Sequence, residues 1–359
     1  MFKLKKIMML VIAVFFLASY GDAYAVWKIK ASTVFSPSSH FGKELKWYFD
    51  NVQKNSKGRI KVQYFFGGAI CRYGEEMKAL RSHTIDASLM GLGYAPADAP
   101  LTQIFELTYL NTAVDAAIKT VMDCYRSFPP LQKQINRTNA VLLWSPPVTN
   151  NSMWTPFPVP NMEALKGKKI RAYSWSGDVL SRFGAIPAAI PWSDVYNSAK
   201  TGIIDGVYGT PLSVAWDSKI YEVAPNVTQT GCGVFGAMAV VIRKDLLDSF
   251  PPDLKKVFLD LAPAAEDKSI DIVMGENKKA VDDLHSKGIK LTIWNKEEIE
   301  KARKVVQPAQ LNLLMGKLSK QGMGKEAEQL KKMYLDLLEK RRKSSRYVTA
   351  FEYWQKQYK

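Results

Sequence analysis

Three histidines and three cysteines in 359 residues leave little material for the commonest catalytic and metal-binding chemistry. His40, His83 and His285 stand far apart, and no two share the spacing of a zinc-binding helix. Cys71, Cys124 and Cys232 form no metal-type pair, and an odd number leaves at least one thiol unpaired even where oxidation is permitted. A nucleophile elbow is missing too, because Tyr173-Ser174-Trp175-Ser176-Gly177 does not match it. Gly67-Gly68 and Gly91-Leu92-Gly93 lack the spacing of a phosphate loop. Glu75-Glu76 is a carboxylate pair only in sequence: adjacent helical positions point apart, so a solvated first turn is expected. No catalytic residue, metal or cofactor is therefore expected.

Long apolar runs are also scarce. The longest, Ile7 to Ala18, follows Lys3, Lys5 and Lys6 and precedes the small residues Ala23-Tyr24-Ala25. Twelve residues rise only about 18 Å as a helix, short of a bilayer core of roughly 30 Å. The pattern is that of an export signal covering residues 1–25, which implies a periplasmic, soluble mature chain. Without those 25 residues 334 remain, more than one core usually serves, so two lobes are expected. Acidic residues are outnumbered by basic ones, 34 to 50, for a net charge of +16. The Lys and Arg are spread along the chain without a nucleic-acid-binding motif, so solvated faces and not nucleic acid are expected. The surplus can still steer an anion toward the protein.

What is present is an α/β rhythm. Lys28–Thr33 reads as a strand, a helix capped by Ser38 or Ser39 follows, and Ile60–Phe66 alternates as a second strand. A similar order recurs from Lys169. Arg81-Ser82-His83-Thr84-Ile85-Asp86 and Lys200-Thr201-Gly202-Ile203-Ile204-Asp205 both read as helix end, tight turn and strand start, which suits two similar lobes. Prolines at 146, 147, 156, 158 and 160 mark a crossing near residue 149, and Gly231-Cys232-Gly233 marks a second. The expected division is 26–148 plus about 236–275 for lobe I. Residues 149–235 plus about 276–359 make lobe II and the C-terminal helices, which run over 254–287, 296–321 and 325–342. A chain that crosses twice leaves hinge strands about which rigid lobes can close.

The chemistry that remains is recognition. Arg171 falls near the C-terminal end of a predicted strand, where open α/β sheets place ligands. Its planar fork of donors fits two carboxylate oxygens in a way Lys cannot. Tyr173, Ser174 and Trp175 beside it are of the kind that small-molecule pockets use. Beside Lys168 and Lys169 the same arginine also reads as one more surface base, and spacing does not decide between the two.

Several blocks together resemble the solute-binding subunit of tripartite ATP-independent periplasmic (TRAP) transporters, of the dicarboxylate-binding type. They are Leu165-Lys166-Gly167-Lys168-Lys169-Ile170-Arg171, Gly184-Ala185-Ile186-Pro187 with Pro191, Asp194-Val195-Tyr196, and Thr201 to Gly206. Gly74 to Met77 with Ile85-Asp86, and Lys244 to Pro252, add to them. The resemblance implies an α/β, two-lobe periplasmic binding protein fold, type II-like, with hinge strands and a long connecting helix. It also implies a small organic acid as ligand, Arg171 as its carboxylate partner, and integral-membrane permease subunits as partners. A monomer is expected. Many members carry a second arginine near the position of Asn151, and Glu-Asn or Gln-Asn after Asp-Gly, where this chain has Val207-Tyr208-Gly209-Thr210. That departure implies one carboxylate and a less polar remainder, with Asn151 nearby and Tyr208, Trp175 and Trp192 as walls; the same aromatics read equally as lobe core. A sensory module for a receptor and a secreted hydrolase are the alternatives.

Overall fold

A computed structural model of the chain describes residues 26–111, 113–234, 237–289 and 291–359. The expected export signal lies outside them. Among the described residues no helix is long and apolar enough to cross a membrane.

The described strands are β1 (Trp27–Ser32), β2 (Ile60–Phe65), β3 (Ala87–Gly91), β4 (Ala140–Trp144), β5 (Asn151–Thr155), β6 (Lys169–Arg171), β7 (Ile186–Ala188), β8 (Gly206–Pro211), β9 (Asn226–Gln229), β10 (Met238–Arg243) and β11 (Leu291–Ile293). They build two sheets, ordered β2-β1-β3-β10-β4 and β11-β9-β5-β8-β6-β7. β10 runs antiparallel between β3 and β4, and β5 antiparallel between β8 and β9. Each is the first strand its sheet receives after the chain has come over from the other one. The first passage is 145–150, and the described part of the second is 230–234 with 237. At the second, Gly233 has φ +78, and a Cβ there would sit 2.2 Å from the Asn111 carbonyl oxygen. Only glycine fits such a turn.

The repeated Ile-Asp pattern has a physical counterpart. The Asp86 carboxylate accepts from Lys30 N (2.8 Å), and Asp86 N donates to Lys30 O (2.9 Å). In the second sheet the Asp205 carboxylate accepts from Lys169 N (2.7 Å), and Asp205 N donates to Lys169 O (2.6 Å). Both aspartates thus fasten the start of one strand to its parallel neighbour. Ser39 caps the helix His40–Asn55 by accepting from Gly42 N at 3.1 Å.

The 35-residue helix Pro252–Ser286 connects the two halves, packing on His40–Asn55 and β4 at one end and on Leu212–Asp217 and Ala350–Tyr358 at the other. Further C-terminal helices span Lys296–Lys320 and Gly324–Arg342. The latter buries Ala327, Leu330, Tyr334 and Leu338 against the first sheet's helices, in one core with Val121, Cys124 and Phe105. All three cysteines are free and buried.

Glu76 departs from the expected solvated turn. It is only 1% exposed and accepts from Gly74 N at 2.7 Å, and burial raises its carboxyl to about 7. The turn at Gly74, at φ +92, brings its amide onto the Glu76 carboxylate.

Candidate functional site

The segment that presents Arg171 is short and firmly held. Met162–Leu165 forms one tight turn capped by the Asn161 side chain, and Gly167 reverses the chain at φ +72. The three residues of β6 then lie between β7 and β8. Ile170 points into the core, and Arg171 ends the strand where the parallel strands' carboxyl ends open toward the other sheet.

There the two sheets enclose a cavity of about 90 Å³, room for several waters or a small organic molecule. Of the sequence-predicted residues, Arg171, Tyr173, Asn151 and Trp192 line it. Trp175 and Tyr208 do not. Trp175 lies in the core that includes Leu314 and Leu318, with its carbonyl taking a bond from Gln310 Nε2 at 2.9 Å. Tyr208 is fully buried, its hydroxyl 3.1 Å from that of Thr230.

Arg171 is 2% exposed. Its Nε donates to the Ile190 carbonyl at 3.0 Å, and its Nη2 to the Tyr94 hydroxyl at 3.0 Å. The guanidinium carbon stands 5.4 Å from the centre of the Trp192 ring, a cation–π distance. All three partners are neutral. Burial pushes the Tyr94 phenol up to about 12 despite the nearby guanidinium, so it stays protonated and is no counter-ion. Among the described residues no carboxylate forms an ion pair with Arg171.

Tyr94 belongs to the first sheet's side and Arg171 to the second's, so their bond spans the cleft. The Tyr94 ring also stacks on Tyr173, with centroids 3.5 Å apart and planes 9° apart, and tilts against Tyr73 at 3.8 Å. Near the cleft mouth, Ser36 Oγ and Ser38 Oγ donate to the two Asp217 oxygens at 2.6 and 2.7 Å. Phe35, Phe41, Val148, Val214 and Met238 supply apolar wall.

Sequence reasoning had not singled out Tyr94 or Glu106. Glu106 is 5% exposed and lines the cavity, and burial raises its carboxyl to about 7. The one available signal was a charge inside the apolar run Ile104-Phe105-Glu106-Leu107. None of the three histidines lines the cavity: His40 is buried against Glu44, His83 sits by Asp245, and His285 stacks on Tyr358. Among the described residues no group of three or more His, Cys, Asp or Glu is placed to hold a metal.

Two α/β lobes joined by two passages and a long helix, with a buried cation facing the cleft between them, fit a solute-binding protein rather than a surface for macromolecules. Its family follows from comparison with known proteins. The chain belongs to the bacterial extracellular solute-binding proteins of family 7, whose model matches residues 31–314. This is the family of the TRAP-type receptors. The ectoine-binding periplasmic protein TeaA of Halomonas elongata is 26% identical over 272 residues, covering 72% of this chain and 76% of its own. A TRAP solute-binding protein from Rhodoferax ferrireducens, solved with copurified benzoate, superposes with a TM-score of 0.79 at 18% identity, covering 88% of this chain and 99% of that one. The sugar-acid-binding protein DctPAm of Advenella mimigardefordensis, in complex with galactonate, gives 0.78 at 21%, with the same coverage.

Proposed function

We propose that the protein captures a small organic acid in the periplasm by its carboxylate, with Arg171 as anchor, and delivers it to the membrane subunits of a TRAP-type transporter. The carrying observation is the state of Arg171: a guanidinium 2% exposed, facing a cavity, with only neutral partners. A buried charge without a partner is costly, and a bound carboxylate removes that cost. Similar solved structures agree in kind, since their bound ligands include galactonate, benzoate and succinate.

In this reading lobe I is 26–148 plus about 236–275, and 149–235 plus about 276–359 make lobe II and the C-terminal helices, of which Gly324–Arg342 packs back on lobe I. Ligand closes them by favouring the cleft-spanning contacts, and closure strengthens the ion pair by excluding water. Asn151, Tyr173 and Trp192 flank the anchor. With asparagine at position 151, one cation carries the anion, so the ligand is a monocarboxylate with a largely apolar body. The protein acts as a monomer and performs no chemistry on its ligand. Mass spectrometry of what the purified protein releases on denaturation tests this. A monocarboxylate is expected, whereas a neutral sugar or a polyamine would refute it.

A further inference from the structure

The cavity carries a second buried charged group besides the proposed anchor. Glu106 ends the short helical segment Pro100–Glu106 on the first sheet's side. Its Oε1 accepts from Ala237 N at 2.9 Å, and the neighbouring Gly93 amide and Ser174 side chain also favour its ionised form. Its seat depends on Gly93 having no side chain, since a Cβ there would come within 2.7 Å of the carboxylate. Ser174 reaches it from the other side of the cleft, from a backbone held at φ 51 and ψ −138, a costly conformation for a non-glycine residue.

One hydrogen bond, from Ala237 N, leaves the carboxylate well short of its full capacity, which is about four acceptor positions. Among the described residues no cation forms an ion pair with Glu106. A buried, incompletely compensated acid favours whatever supplies a donor and disfavours whatever adds negative charge. The surrounding wall, from Phe35 and Phe41 to Val148 and Met238, offers neither.

We propose that Glu106 is a specificity-determining residue: it accepts a hydrogen bond from a hydroxyl or N–H group of the bound acid. This rests on the reading that Arg171 holds the carboxylate. The protein then selects donor-bearing monocarboxylates, such as hydroxy acids. Unsubstituted acids leave Glu106 unsatisfied, and dicarboxylates bring a second negative charge toward it. Sites built to pair with a ligand hydroxyl reject the analogue without it more strongly than apolar pockets reject an extra methylene.

The titratable groups that feel Glu106 are Tyr73 and Tyr94 from its own side of the cleft and Tyr334 from the helix Gly324–Arg342. Burial raises all three phenols, so they stay neutral while Glu106 titrates. A ligand donor stabilises the ionised form, so binding at pH 7 releases protons.

The test is calorimetric titration at pH 7, in two buffers of different ionisation enthalpy. The probes are 2-hydroxybutyrate with butyrate, 4-hydroxybenzoate with benzoate, and succinate. For the wild type, at least one hydroxylated member is expected to bind roughly 10-fold or more tighter than its parent, with proton release and with succinate weakest. Glu106→Gln is expected to bring that gap below about 3-fold and to abolish the proton release. Glu76→Gln, at the other buried carboxyl raised to about 7, keeps both. Glu106→Asp, which withdraws the carboxylate by one methylene, serves if the amide variant does not fold. An unchanged gap in either Glu106 variant, or a wild type that prefers the parent acids or succinate, overturns the proposal. If Arg171→Met leaves acid binding intact, or the wild type binds none of the probes, the anchor reading has failed and this proposal falls with it.

Discussion

Replacing Arg171 by Met separates binding from folding. The guanidinium is buried among neutral partners, so its removal forfeits two hydrogen bonds, to Ile190 O and the Tyr94 hydroxyl, and relieves a buried charge that no carboxylate among the described residues pairs with. Those bonds are worth about 0.5–1.5 kcal/mol each, and removing a buried unpaired charge offsets them, so ligand-free stability should change by no more than about 1 kcal/mol. Binding should suffer far more. Losing one partner of a buried charge pair costs about 2–5 kcal/mol, or roughly 30-fold to several thousand-fold in Kd. Ligand at 100 times Kd stabilises the wild type by about 2.7 kcal/mol. A Kd raised 100-fold leaves about 0.4 kcal/mol at the same concentration. Thermal melts with and without ligand, paired with calorimetric Kd values, read both quantities. Arg171→Lys should fall between, since it keeps the charge and loses the planar fork. If Arg171→Met keeps a ligand-induced stabilisation within about 0.5 kcal/mol of wild type, the anchor is elsewhere.

Asp217→Ala removes the two hydroxyl bonds at the cleft mouth, worth about 1–2 kcal/mol together at a partly exposed site. Roughly 5- to 30-fold faster ligand release is expected in stopped-flow experiments, with little change in association; an unchanged release rate would show that the contact does not hold the closed form. Glu76 makes stability depend on pH, because burial raises its carboxyl from 4.5 to about 7. An acid whose folded pKa is raised binds more protons when folded, so its contribution is complete below about pH 4.5 and is lost as pH rises through about 7. Denaturant melts across that window should therefore show wild-type stability falling relative to Glu76→Gln, by on the order of 3 kcal/mol at most; parallel profiles would refute this.

The sequence made Arg171 legible because everything that places it is local. A capped turn, a glycine reversal and a three-residue strand decide where the side chain goes, and all three lie within Asn161 to Arg171. The Ile-Asp repeat was legible for a similar reason, since each aspartate fastens a strand start through its own backbone and carboxylate. Tyr94 and Glu106 were not, because they meet Arg171 and Ser174 only when the two sheets face each other, and no local pattern encodes that distance.

The aromatic walls show a finer limit. Tyr173 and Trp175 are two residues apart, yet Ser174 at φ 51 turns the chain between them. Tyr173 is left against Tyr94 in the cavity while Trp175 enters the core. In β8, strand alternation would put Tyr208 and Thr210 on one face. The register instead shifts opposite Ser152 and Met153, which leaves Gly209, at φ +77, without a partner. A glycine bulge of this kind interrupts alternation by one residue. Thr210 therefore lines the cavity while Tyr208 is buried with Thr230. A β-bulge and a strained turn each depend on a backbone angle that composition does not specify, and together they decide which aromatics line the cavity. Asn151 supports the same conclusion from the other strand. As the first residue of β5 it donates its amide to Gly233 O at 3.3 Å and lines the cavity, so this position is tied to the passage between the sheets. A substitution at that position would therefore also touch the passage between the sheets.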